Sequence, residues 1–154
     1  MVVKVMAGII PAYRTAMDCK KRILVVEDNL GSRQLLALVL SRSGYEITEA
    51  ATGLEAVDRA RATRPHLIIM DLGLPGITGD EATARLKADA MTRDIPVVVN
   101  TAFHRESSRV ARAIAAGAAE ILYKPTSLKV FEDVARRYLS SAASVTASFA
   151  TANH

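Results

Sequence analysis

The chain predicts an α/β fold built on a doubly wound, five-stranded parallel sheet. Three observations lead there. Short, continuously apolar runs, Ile23-Leu24-Val25-Val26 and Leu67-Ile68-Ile69-Met70, read as strands buried on both faces. Longer segments with apolar residues at helical spacing alternate with such runs. The alternation repeats five times, the pattern of consecutive β-α units in one parallel sheet.

Each element has a local reason. β1 is expected over about 22–27 and α1 over 30–43, where Leu35, Leu36, Val39 and Leu40 form an apolar stripe. β2 follows at about 45–49 and α2 at 53–63, opened by Thr52-Gly53-Leu54-Glu55, which matches a capping box. β3 is expected over about 66–71 and α3 over 79–90, with a second such box at Thr78-Gly79-Asp80-Glu81. β4 at about 96–101, α4 at 105–116, β5 at 119–123 and α5 at 127–139 complete the series. Leu128, Phe131, Val134, Ala135 and Leu139 supply the core face of α5. Gly44 and Gly117 follow helical segments, where a left-handed cap is wanted. Pro65 and Pro96 sit at strand starts, where a missing N–H costs little.

Composition sets the broad class. With 154 residues, 50% hydrophobic and 23% charged, the chain reads as one globular domain with a proper core. No apolar run reaches the roughly 18 residues of a membrane span. The single Cys19 cannot form an internal disulfide and lacks metal-ligand spacing, which favours a reducing cytoplasm. Net charge is +4 and the pI about 9.5, but arginine is dispersed and aromatics make up 5%, so direct DNA binding is not expected. The expected organisation is a flexible N-terminal extension over 1–19, one domain over 20–140 and a flexible tail over 141–154, rich in Ala, Ser and Thr. The apolar stretch Ala7-Gly8-Ile9-Ile10 is too short for a signal peptide, and Met17 is a second candidate start.

Carboxylates at strand ends carry the functional signal. Glu27 and Asp28 close β1, and Asp71 closes β3. Three carboxylates at one sheet rim can converge on a hard cation such as Mg²⁺, which prefers oxygen ligands. Two strand orders are open at this point. In the order 2-1-3-4-5, β1 and β3 are neighbours at the topological switch point, where ligands bind in such sheets. Thr101, at the end of β4, and Lys124, at the end of β5, reach the same edge. Each residue also has an ordinary reading. A strand-end Asp forms turns or caps helices, and Asp28 could cap α1, with or without a metal. Glu27 and Lys124 could be solvated rim charges, and Thr101 a plain β-branched strand residue.

Four segments, Val25-Val26-Glu27-Asp28-Asn29, Met70-Asp71-Leu72-Gly73-Leu74-Pro75-Gly76, Asn100-Thr101-Ala102 and Tyr123-Lys124-Pro125, resemble the response-regulator receiver domain in order and separation. The resemblance spans about residues 20–140. It implies a flavodoxin-like (βα)5 sheet in the order 2-1-3-4-5 and phosphoryl transfer from a phosphohistidine to an aspartate. Asp71 would be the phosphoacceptor, with Thr101 and Lys124 against the phosphoryl oxygens. Glu27, Asp28, Asp71 and the backbone carbonyl of Gly73 would hold Mg²⁺. A cis Lys124–Pro125 peptide is implied as well. The implied partners are a histidine kinase or histidine phosphotransfer protein and a downstream protein target. The implied protein is a cytoplasmic two-component signalling phosphoprotein and not an enzyme in its own right. It would be a monomer or a phosphorylation-dependent dimer, without an output domain after α5.

Some positions depart from the family pattern. Ile121 stands where many receivers carry an aromatic residue, with Tyr123 two residues on and on the same face. Asn100 stands where apolar residues are common. Gly73 and Phe103, two residues beyond Asp71 and Thr101, offer no polar side chain to orient an attacking water, so slow self-dephosphorylation is expected. Arg105, Arg109 and Arg112 are expected on one face of α4, with Arg136 and Arg137 near the end of α5, a surface suited to an acidic partner. The competing classes are a Mg²⁺-dependent phosphohydrolase with an aspartyl-phosphate intermediate and a phosphorylation-independent interaction domain. Gly73 lies where one such phosphatase family has its second Asp.

Overall fold

The computed structural model describes residues 19–140. The expected extension and tail, apart from Cys19, fall outside them, as does Met17. The elements are β1 (Arg22–Val26), α1 (Leu30–Arg42), β2 (Glu46–Ala50), α2 (Gly53–Thr63), β3 (Leu67–Met70), α3 (Gly79–Ala88), β4 (Val97–Thr101), α4 (Ser108–Ala116), β5 (Glu120–Tyr123) and α5 (Leu128–Leu139). All strand pairs are parallel, in the order β2-β1-β3-β4-β5, as the resemblance implied.

Strand alternation sorts the core into two layers. Leu24, Val26, Ile68, Met70, Val97 and Val99 face α2, α3 and α4, meeting Ala56, Ala60, Leu86, Val110 and Ala113. Ile23, Val25, Leu67, Ile69 and Val98 face α1 and α5, meeting Leu36, Leu40, Phe131 and Val134. The central strands are buried on both faces, so their sequences are apolar throughout instead of alternating.

Three local expectations are corrected. α4 begins at Ser108, not 105, because the Ser107 side chain accepts from the Arg109 N–H and caps the helix there. Arg105 therefore precedes the helix. Leu35 is half exposed and Val39 only partly buried, so the α1 core stripe is Leu36, Ala37 and Leu40. Leu128, expected in the α5 core face, is exposed. The N-cap of α1 is Asn29, whose Oδ1 accepts from the Ser32 N–H at 2.9 Å, which leaves Asp28 free of that duty.

One close approach fixes α3 against the rim of the sheet. A Cβ on Gly79 would overlap the carbonyl oxygen of Asp71, so only glycine lets the helix start there. The Gly79 N–H also donates to the Leu72 carbonyl at 3.0 Å.

Candidate functional site

The sheet register builds the site. Val26 lies opposite Met70, so the next residues, Glu27 and Asp71, leave adjacent strands side by side. The Asp71 N–H continues the ladder to the Val26 carbonyl at 3.0 Å, and the Glu27 N–H to the Ala50 carbonyl at 3.1 Å. On the other side Thr101 pairs with Tyr123, and the Lys124 N–H donates to the Thr101 carbonyl at 2.8 Å. Four chain segments thus deliver Glu27, Asp28, Asp71, Thr101 and Lys124 to one carboxyl edge.

Carboxylate oxygens of Glu27, Asp28 and Asp71 lie within 4.8 Å of one another. Glu27 and Asp71 are buried and Asp28 is exposed, so the cluster opens to solvent through Asp28. Lys124 Nζ donates to Glu27 Oε2 at 2.8 Å and to Asp71 Oδ2 at 3.3 Å. Partial burial works against the Lys124 charge, but the Glu27 hydrogen bond and the Asp71 carboxylate outweigh it and raise its pKa above the ordinary lysine value. The remaining oxygens are oriented by backbone amides. Asn29 N–H donates to Glu27 Oε1 at 3.1 Å, and Gly73 N–H to Asp71 Oδ1 at 3.2 Å. Three carboxylates grouped this closely are the donor set of a hard divalent cation, and Mg²⁺ fits them on chemical grounds.

Thr101 is fully buried, and its hydroxyl accepts from the Phe103 N–H at 3.0 Å. It shares the edge with Asp71 while its oxygen is turned to the turn that follows β4. The Lys124–Pro125 peptide is cis. Ile121 and Tyr123 both pack against the α2–α4 core layer, so Tyr123 shares the face of Ile121 as alternation requires. His104 is exposed in the β4–α4 loop.

The arginines are more tied down than their spacing suggested. Arg105 lies 5.0 Å over the Tyr123 ring and Arg109 4.9 Å over the Phe103 ring. Arg112 Nε donates to Asp80 Oδ2 at 2.8 Å, Arg136 pairs with Asp133, and Arg137 pairs with Glu120. Sequence reasoning missed Asp80, Arg33 and Thr126. Arg33 bonds the Glu27 carbonyl at 2.8 Å and Glu49 at 3.2 Å. Thr126 bonds Asn100 at 2.7 Å. Among these positions only Asn100 carried a signal, a polar residue near the end of an apolar strand.

A (βα)5 sheet with an acidic cluster and a lysine at its switch point defines the receiver class. The chain belongs to the response regulator receiver domain family, whose model matches residues 23–136. It is similar to the polar-differentiation response regulator DivK of Brucella anthropi, 38% identical over 122 residues, covering 79% of this chain and 98% of that protein. Among solved structures it is similar to the chemotaxis protein CheY4 of Vibrio cholerae, with TM-score 0.72 and 27% identity over 78% of this chain and 99% of that one. It is also similar to the receiver domain of a sensor histidine kinase of Pseudomonas aeruginosa, with TM-score 0.72 and 30% identity over 79% of this chain and 99% of that one. That receiver was solved with a magnesium ion coordinated in its active site cleft. The chain is therefore a receiver domain of two-component signalling, and receivers of this family are signalling proteins rather than classical enzymes.

Proposed function

We propose that Asp71 accepts a phosphoryl group from the phosphohistidine of a histidine kinase or histidine phosphotransfer protein. The convergence of Glu27, Asp28 and Asp71 with the Lys124 ammonium supports this most directly. A carboxylate oxygen of Asp71 attacks phosphorus as the P–N bond to the donor imidazole breaks, and the imidazole leaves with the electron pair. Lys124 is placed to follow a phosphoryl oxygen with one of its three N–H donors while another keeps Glu27. The Gly73 N–H already points at the Asp71 carboxylate and holds its orientation. Thr101 brings a hydroxyl that can exchange its Phe103 partner for a phosphoryl oxygen. Glu27, Asp28, Asp71 and the Gly73 carbonyl would hold Mg²⁺, and the similar Pseudomonas aeruginosa receiver has a magnesium ion coordinated in its active site cleft. When bound, the cation offsets the repulsion between this carboxylate cluster and an incoming phosphoryl group.

Phosphorylation then shifts the population of the α4–β5–α5 surface, where an acidic face of a protein target is attracted by Arg105 and Arg109. The reading extends to a cytoplasmic protein whose working unit is residues 20–140. Among the described residues no helix is long and apolar enough to cross a membrane.

The test is intact mass after incubation with Mg²⁺ and acetyl phosphate, with Asp71→Asn and metal-free controls. A phosphoryl mass gain that needs both Mg²⁺ and Asp71 supports the proposal. A gain that persists in Asp71→Asn overturns it.

A further inference from the structure

We propose that Asn100 and Thr126 are positioning residues for Lys124: the hydrogen bond between their side chains ties the segment after Lys124 to β4 and so holds the ammonium beside Asp71. The inference rests on Asp71 being the phosphoryl acceptor. It starts from a polar residue where the strand pattern calls for an apolar one. Val97, Val98 and Val99 are fully buried, and Asn100 follows them on the side of the sheet facing α1 and α5. An asparagine there is costly unless its amide is bonded. Thr126 Oγ1 meets this need, donating to Asn100 Oδ1 at 2.7 Å, at the short end for a hydroxyl donor.

The location of the pair gives it a task. Asn100 lies opposite Leu122 in the β4–β5 register, and Thr126 comes two residues after Lys124. The Lys124 N–H makes the last ladder contact to β4, at 2.8 Å from the Thr101 carbonyl. Pro125 brings no N–H to continue it. The tie to β4 passes instead to the Thr126 side chain, whose oxygen also lies 3.3 Å from the Tyr123 carbonyl. Asn100, Thr126 and Lys124 line one cavity of about 520 Å³ between α1 and α5, with Asp71 at its rim. Most of the cavity wall is apolar, Leu35 and Leu128 included, and Thr126 is the side chain of the loop that bonds to β4. A lysine stem is flexible, so where its ammonium rests depends on how firmly its backbone is held on both sides. Lys124 Nζ bonds Glu27 and Asp71, while the Asn100 and Thr126 side chains bond each other, so the pair acts through placement.

The experiment uses the full chain. Thr126→Val keeps the shape of the side chain and removes the donor, Thr126→Ser keeps the hydroxyl, and Asn100→Leu removes the acceptor. Phosphorylation by acetyl phosphate with Mg²⁺ is followed at saturating donor. Thr126→Val and Asn100→Leu are each expected to slow the maximal rate about five- to twentyfold with little change in half-saturation. The double variant is expected to be no slower than the slower single one, and Thr126→Ser to restore the wild-type rate. A wild-type rate in Thr126→Val, or a Thr126→Ser variant as slow as Thr126→Val, overturns the inference. NMR relaxation dispersion of the amides of Lys124, Thr126 and Ser127, in protein without phosphoryl group, is the second readout. Exchange broadening in Thr126→Val that Thr126→Ser lacks supports the clamp, and rigid amides in Thr126→Val overturn it. A wild-type chain that takes up no phosphoryl group defeats the acceptor reading, while the NMR comparison still decides whether the pair holds the lysine segment.

Discussion

Lys124 and Glu27 lie 97 residues apart in the chain and 2.8 Å apart in the fold. The same ammonium reaches Asp71 at 3.3 Å, so one positive charge bridges two buried carboxylates. Removing it leaves them uncompensated except by a cation. Lys124→Met is therefore expected to lower the rate of Asp71 phosphorylation about a hundredfold, the scale of one lost donor to a developing charge. Mg²⁺ should also raise the thermal midpoint of the variant more than that of the wild type. Phosphorylation kinetics and a Mg²⁺ titration of thermal unfolding check both.

Gly73 shapes the lifetime of the phosphorylated state. A Cβ added there meets only the edge of the Phe103 ring, at 3.8 Å, an ordinary contact. Gly73→Asn should thus be tolerated and would bring an amide near the carboxylate, able to orient a water. The phosphorylated wild type is expected to persist for minutes or longer, and the variant to lose its phosphoryl group about tenfold faster. Loss of the phosphoryl mass over time measures both, and a wild-type lifetime of seconds would contradict the reading of this site.

His66 makes the fold sensitive to acid. Its Nδ1 accepts from the Arg22 N–H at 3.0 Å at the start of β1, a bond only the neutral ring can accept. Burial, then Arg22 and Lys21, lower its pKa below the ordinary 6.5. The unfolded chain takes up this proton more readily than the folded one. Stability is then full above 6.5 and falls as the pH drops from there toward the folded value. His66→Asn keeps an acceptor without a titrating ring. Its thermal midpoint is expected to fall less than that of the wild type between pH 7.5 and about pH 5.5.

Asp80 is a buried carboxylate in the first turn of α3, 2.8 Å from Arg112 of α4. Burial opposes its charge, yet the Arg112 hydrogen bond and the nearby Arg112 charge outweigh it and hold the pKa below 3.8. This contribution is present above 3.8 and is lost as pH falls through the lower folded value. Arg112→Met leaves the charge unpaired and is expected to destabilise the fold by about 2 kcal/mol, discounted because Arg112 is largely exposed. Asp80→Leu with Arg112→Met, an apolar pair, should recover most of that loss in urea unfolding.

Much of this molecule was legible in its sequence. The central strands are buried on both faces, so their apolar runs stood out, and the acidic residues closing them marked the rim. Convergence of Glu27, Asp28 and Asp71 followed from strand order alone, because the parallel register brings the ends of β1 and β3 together. Failures came where a short polar segment decides the outcome. Arg105-Glu106-Ser107 reads as helix by composition, yet Ser107 is the cap and α4 starts only at Ser108. Asn29 caps α1, a duty the sequence assigned, as an alternative reading, to Asp28. Leu35 belonged to the expected stripe, but Leu36 and Leu40 fill the sheet contact and leave it at a cavity wall. The Asn100–Thr126 and Asp80–Arg112 pairs were hidden because their partners are 26 and 32 residues apart, with no local pattern between them.

Borohydride reduction of the phosphorylated chain, followed by peptide mass mapping, names the carboxylate that carries the phosphoryl group. An aspartyl phosphate is reduced to homoserine, so the modified position is recorded in the peptide mass. Homoserine at position 71 alone is the expected result. Homoserine at position 28, or an unreduced Asp71 in a chain that has gained a phosphoryl mass, would contradict the assignment of Asp71 as acceptor.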